Sequence, residues 1–127
     1  MSLTVLHTES SLGWGGQENR TLNEMLGLRE LGHRAVLACR SGAKLGARAR
    51  EAGFEVFETP MRNAIDLPAI LRLRRCMQEC RADIVNTHSG RDTQLAGMAA
   101  HTLARRPRIV RTRHLALPIT SRFTYSV

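Results

Sequence analysis

Three glycines and one tryptophan stand close together in the segment "GWGGQE", which runs from Gly13 to Glu18. A turn between a strand and a helix usually needs a single glycine. Gly15 and Gly16 come just before a helical pattern, where unpaired N–H groups and the helix dipole favour an anion. We therefore predict that a phosphate group approaches the backbone here. The alternative is a flexible turn, with Glu18 merely favourable in the first turn of the helix.

Well-known phosphate motifs do not explain this glycine segment. A dinucleotide fingerprint needs a third glycine where Glu18 stands, and an acidic residue after the second strand where the chain has Arg40. The chain has no G-K-S/T sequence, so a P-loop is excluded. A phosphoacceptor receiver domain would carry clustered aspartates at strand ends, but only Glu9 and Asp92 lie near such ends.

Histidines, a serine and arginines follow the predicted fourth and fifth strands. Arginine can bind a phosphate through two parallel hydrogen bonds, and a histidine can hydrogen-bond a hydroxyl group. Loop residues of these types are also common as plain surface polar groups, and that alternative stays open. The residues concerned are His88, Ser89, Arg91, Arg113 and His114.

Strand and helix patterns alternate along the chain. The predicted strands are Leu3–Thr8, Arg34–Cys39, Phe54–Glu58, Ala82–Thr87 and Ile109–Thr112. The predicted helices are Gln17–Leu31, Ala43–Ala52, a helix that is capped by Asp66 and ends near Cys80, and Asp92–Leu103. Phe54–Glu58 alternates polar and apolar residues, which predicts an edge strand with one wet face.

This alternation predicts an α/β fold with a three-layer, Rossmann-like open parallel sheet and helices on both faces. The expected strand order is 3-2-1-4-5. Ligands of such sheets bind beyond the carboxyl ends of the strands, near the point where the strand order reverses. The glycine segment and the polar strand-end residues should therefore lie on one rim.

The composition indicates one domain in a reducing compartment. The chain has 127 residues and three cysteines, an odd number without a secretory signal, so we expect a cytoplasmic protein. Cys76 and Cys80 have the i, i+4 spacing that can begin a metal site. Because no partner pair of Cys or His is evident, we predict that they are small buried residues.

The formal charge of +8 raises a nucleic-acid hypothesis. Basic residues are dense in Leu71–Arg75 and in Arg105–Arg113. However, aromatic residues are only 4% of the chain, and no helix-turn-helix, zinc or RNP-like pattern is present. We expect no nucleic-acid partner. A basic surface also suits peripheral contact with anionic membrane lipids.

Four segments, "GGQE", "LGHRAVLAC", "ADIVNTHS" and "RIVRTRH", occur in an order that resembles family 4 glycosyltransferases. These are retaining enzymes of the GT-B architecture, and the resemblance runs from about Leu3 to the end of the chain. It implies that residues 1–127 form the N-terminal, acceptor-side half of such an enzyme. One departure is Asn86, where the family often has a histidine.

The resemblance also implies site residues and substrates. Gly15 and Gly16 would contact the diphosphate and sugar of a nucleotide-diphosphate sugar donor, without a metal or other cofactor. His114 would lie near the transferred sugar as the catalytic-site histidine. The acceptor, a cell-envelope glycan or lipid, would meet the remaining cleft residues, which are Glu18, His88, Ser89, Arg91 and Arg113.

A GT-B enzyme needs a second domain, whose E-x7-E motif and basic pair hold the donor nucleotide. No such motif occurs in these 127 residues. We therefore expect a truncated chain that is inactive alone and whose exposed face permits dimerisation. The alternative is a non-catalytic ligand-binding or interaction module with the same fold.

Overall fold

The computed structural model describes residues 1–63 and 65–112, and this part of the chain alternates five strands with four helices. The strands are β1 (Thr4–Glu9), β2 (Arg34–Cys39), β3 (Glu55–Glu58), β4 (Ile84–Thr87) and β5 (Arg108–Arg111). The helices are α1 (Gly16–Glu30), α2 (Lys44–Glu51), α3 (Leu67–Cys80) and α4 (Gly90–His101).

All strand pairs are parallel, and the sheet order is β3-β2-β1-β4-β5. The predicted fold class and strand order are confirmed. β1 is central, with Leu6 in register with Val36 of β2 and Val85 of β4. The strand order reverses between β1 and β4, and ligands of such sheets bind in the crevice that opens at this point.

Two apolar clusters hold the layers together. One cluster joins the sheet to α3 and α4 through fully buried Leu6, Leu73 and Leu95. The other joins the opposite face to α1 and α2 and includes Met25 and Leu37. Successive side chains of β1 therefore point alternately to the α1 side and to the α4 side of the sheet.

β3 lies at the sheet edge as predicted, but it has no single wet face. Val56 packs against the cluster beneath α2, whereas Phe57 packs against the cluster beneath α3. These neighbouring residues point to opposite faces, so each face is partly covered. The two ends of the strand, Glu55 and Glu58, are the exposed positions.

The helix ends follow their local signals. The carboxylate of Asp66 accepts the N–H of Ala69 and caps α3. Gly32 and Gly53 follow α1 and α2 with φ of +88° and +90°, a conformation in which a side chain is strained. α4 begins two residues earlier than predicted, at Gly90, because Ser89 caps it.

Candidate functional site

β1 and β4 end side by side, and the two chain segments that follow them meet at the rim. Thr8 and Thr87 are in register near the strand ends. Beyond them, the hydroxyls of Ser10 and Ser89 lie 2.8 Å apart. The N-termini of α1 and α4 therefore open onto the same rim of the sheet, as the strand pattern predicted.

The glycine segment leaves the N-terminus of α1 open. Gly15 is the N-cap residue, and it has an extended backbone and no side-chain cap. A Cβ at Gly15 would meet only Glu18 Oε1, at 3.9 Å, and a Cβ at Gly16 would meet nothing within 4 Å. Crowding within the described residues therefore does not require glycine at either position, and the space in front of the helix dipole suits an anion.

A buried carboxylate holds the segment from below. Glu9, at the end of β1, accepts the N–H of Ser11 at 3.0 Å and the side-chain amide of Gln17 at 2.7 Å. Burial, with a smaller contribution from the Asp92 charge, raises the pKa of Glu9 to about 7. Glu9 was not among the predicted site residues, although a polar residue at the end of a buried strand is a usable signal.

The other side of the segment is anchored to α2. The guanidinium of Arg48 lies over the Trp14 ring, 4.0 Å from its centroid, and Trp14 packs against the cluster beneath α2. The backbone N–H of Lys44 donates to the Leu12 carbonyl at 3.2 Å. Trp14 is therefore a packing anchor for the segment.

Glu18 lies beneath the segment, with only 7% of its surface exposed. The Ser11 hydroxyl donates to its Oε1 at 3.5 Å. In this structure Glu18 supports the turn from the inside, and its role toward an acceptor stays a prediction.

His88 is buried and pairs with His7. His88 Nε2 is 3.0 Å from His7 Nδ1, and the rings stack with centroids 5.3 Å apart. Burial lowers the pKa of His7 to about 4, so its ring is neutral near pH 7. A ring nitrogen of each histidine and a carboxylate oxygen of Glu24 all lie within 4.8 Å of one another, which is compatible with three metal ligands.

Ser89 and Asp92 close the N-terminus of α4 with a reciprocal capping box. Asp92 is fully buried, and it accepts the Thr8 hydroxyl at 2.5 Å and the His88 N–H at 2.9 Å. Burial raises the pKa of Asp92. Ser89, predicted to face an acceptor, also has this capping role, and Asp92 is a residue that the site prediction missed.

Of the arginines near the rim, the structure describes Arg91 and Arg111. Arg91 lies in the first turn of α4 and donates to the Met61 carbonyl at 3.2 Å, which ties α4 to the loop before α3. Arg113 and His114 lie outside the described residues. Arg111, at the end of β5, was not predicted; its Nε is buried without a hydrogen-bond partner in the described part of the chain.

A further prediction concerns the cysteines. Cys76 and Cys80 are fully buried in the core beneath α3, as predicted, and burial raises the pKa of Cys76 to about 12. Within residues 1–63 and 65–112, none of the helices has the length and apolar character that a membrane span needs.

Comparisons with known proteins agree on the architecture. The model of a family described as Glycosyltransferase Family 4 matches residues 14–126. No curated protein sequence matches the chain.

Solved structures share the fold at low sequence identity. Acinetobacter baumannii MurG has a TM-score of 0.71 at 14% identity, covering 87% of this chain and 35% of that one. A glycosyltransferase from Rickettsia africae has a TM-score of 0.71 at 21% identity, covering 87% and 29%. Anabaena HepE, solved with UDP and glucose, has a TM-score of 0.68 at 17% identity, covering 87% and 29%. The chain thus spans about a third of the length of these structures.

Proposed function

Because the chain belongs to Glycosyltransferase Family 4, we propose that it is the N-terminal, acceptor-side half of a retaining glycosyltransferase. This half works with a C-terminal domain that holds the nucleotide of the donor, and it does not turn over alone. The observation that carries the proposal is the open N-terminus of α1, where Gly15 and Gly16 leave room for an anion. The neighbour HepE was solved with UDP and glucose, which agrees with a nucleotide-sugar donor.

The proposed reaction moves a sugar from a nucleotide diphosphate to an acceptor hydroxyl. The bond between the anomeric carbon and the diphosphate oxygen breaks, and the acceptor oxygen bonds to the same face of that carbon. The leaving diphosphate takes the bonding electrons, and its freed oxygen accepts the proton of the acceptor hydroxyl. The backbone N–H groups at Gly15 and Gly16 stabilise the growing negative charge, since fixed dipoles need no reorganisation. In this proposal no metal is needed for the leaving group.

The acceptor approaches from the α4 side of the rim. His88, Ser89 and Arg91 mark this side, and Arg113 and the catalytic-site His114 belong to it by family resemblance. His88 is only 4% exposed, so it acts by holding the cleft floor. Arg91 is the exposed cation of the three and suits a phosphate on the acceptor.

A lipid-linked or cell-envelope acceptor would place the protein at the cytoplasmic face of a membrane. The start of α3 offers exposed apolar side chains, with Ile65, Leu67 and Leu71 exposed by 73%, 62% and 58%. Arg75 follows on the same helix; it is exposed and pairs with Glu79 at 3.1 Å. Apolar side chains beside a surface cation favour an anionic lipid surface.

Substitution of Gly15 tests the proposal in the enzyme that joins this domain to its donor-binding half. Gly15→Val fills the space in front of the helix, so transfer should fall by at least about a hundredfold, or roughly 2.7 kcal/mol, as for a lost oxyanion donor. The urea midpoint should stay within error. Gly97→Val in α4, at a glycine whose Cβ position has nothing within 4 Å, is the matched control. Unchanged turnover of the Gly15 variant refutes the assignment.

The competing function is a binding module that keeps the fold without catalysis. It predicts that the complete protein retains acceptor binding but transfers no sugar from any nucleotide-diphosphate donor. Transfer by the wild-type protein, measured as released nucleoside diphosphate, excludes it.

A further inference from the structure

A compact polar cluster lies behind the glycine segment, on the α1 side of the sheet. It consists of His7 on β1, Glu24 on α1 and His88 just after β4. One potential ligand atom from each residue lies within 4.8 Å of the others. His7 is fully buried, His88 is 4% exposed, and Glu24 is partly exposed, so the cluster is enclosed except on the Glu24 side.

The contacts of the histidine rings are compatible with one simple arrangement of their protons. The Thr21 hydroxyl donates to the Gln17 carbonyl at 3.0 Å, and its oxygen lies 3.4 Å from His88 Nδ1. In this arrangement His88 Nδ1 carries the proton and donates to Thr21, and His88 Nε2 accepts from His7 Nδ1 across 3.0 Å.

This proton arrangement leaves one buried lone pair unsatisfied. His7 Nε2 has no hydrogen-bond partner among the described residues, although the whole side chain is buried. An unpaired polar atom in the interior is costly, so the described protein groups do not complete the hydrogen bonding of this histidine pair.

We propose that His7, His88 and Glu24 bind one Zn²⁺ ion. Two neutral imidazoles and a carboxylate are a common zinc donor set, which leaves a fourth position for water. An ion between His7 Nδ1 and His88 Nε2 replaces their hydrogen bond, and the His7 proton moves to Nε2 of the same ring, so no proton leaves the rings. His7 Nε2–H then needs a buried water as its acceptor, because zinc does not contact this atom. His88 Nδ1–H keeps Thr21 as its outer partner, an arrangement typical of metal-bound histidine.

The ion would join α1 to the two central strands. Glu24 lies in α1, His7 lies in β1, and His88 directly follows β4. Zinc would therefore fix the position of the helix that begins at the glycine segment. This role is structural and is separate from sugar transfer, so the inference does not rest on the proposed function.

Zinc affinity of the 127-residue chain, measured by competition with a chromophoric chelator, tests the site. We expect one equivalent at micromolar affinity or tighter. Glu24→Gln and His88→Asn should each weaken binding by about tenfold or more. His101→Gln, which alters an exposed histidine on α4, should leave the affinity unchanged. Urea unfolding in chelator-treated buffer checks that each variant is folded.

Cobalt substitution distinguishes this site from the buried cysteines. The Co²⁺ adduct should show visible d–d bands without a thiolate charge-transfer band in the near ultraviolet. A thiolate band, equal zinc affinity in the wild type and in Glu24→Gln, or no stoichiometric binding would each overturn the proposal.

Discussion

Two helices begin side by side at the same rim, and their N-termini are finished in opposite ways. At α4, the buried Asp92 accepts the backbone N–H groups of His88 and Ser89 and the hydroxyl of Thr8. At α1, Gly15 provides no side-chain cap, and the space in front of it is open. One terminus is closed by the protein's own carboxylate, and the other is available to an external anion.

A helix N-terminus without a side-chain cap can still be held in place by other contacts. Glu9 and Gln17 hold the glycine segment from below, and Trp14 with Arg48 holds it from the side. The segment is therefore fixed without filling the place that a cap would take. Backbone N–H groups that are held in place and face open space can bind a diphosphate without reorganisation.

Removing the α4 carboxylate should have the largest effect on stability. Asp92→Ala leaves buried donors at Thr8 and His88 without an acceptor, so the free energy of unfolding should fall by about 3 kcal/mol or more. Urea denaturation measures this. Gln94→Ala, at an exposed position of the same helix, is the control. A loss below about 1 kcal/mol would mean that the carboxylate does not close this terminus as the geometry indicates.

A capping residue on α1, like the one on α4, should raise stability and lower sugar transfer. Gly15→Ser creates the sequence S-x-x-E with Glu18 at the third helical position, which is a capping box. Unfolding free energy should rise by a few tenths of a kcal/mol, while sugar transfer by the complete enzyme falls about tenfold, or 1.4 kcal/mol, because the hydroxyl occupies an N–H group. Higher stability with full activity would show that these N–H groups do not serve the donor.

The α4 cap hydroxyl should have an intermediate effect. Ser89→Ala removes the side chain that accepts an N–H of the first turn, so unfolding free energy should fall by about 1 kcal/mol. Ser89→Thr keeps the hydroxyl and should retain most of that stability. If thermal denaturation finds both variants equal to the wild type, Ser89 contributes little to the cap and is available for the acceptor.

The smallest expected effect lies at the anchor of the glycine segment. Arg48→Ala removes the cation over Trp14, which at an exposed site stabilises by about 0.5 kcal/mol. Amide hydrogen exchange should become faster in residues 11–15, with the global unfolding midpoint nearly unchanged. Arg50→Ala, which instead breaks an exposed pair with Glu58, should not change exchange there.

Much of the fold followed from local signals. Continuous apolar strands, the Asp66 cap and the glycines after α1 and α2 predicted the element order and most helix ends. The start of α4 was placed two residues late because a serine cap and an apolar spacing that begins later are hard to separate in sequence. The wet face expected for Phe54–Glu58 was wrong because Val56 and Phe57 find cores on opposite faces of the sheet.

Strand and helix patterns were enough to place the glycine segment and the residues after β4 at the rim, since parallel strands have their carboxyl ends on one edge of the sheet. Which of the rim residues touch depends on how the strands pack beside one another. His7 and His88 are 81 positions apart, and Thr8 and Asp92 are 84 apart. Each pair meets because β1 and β4 are neighbours in the sheet, and burial there, which no local pattern encodes, lowers the pKa of His7 and raises that of Asp92.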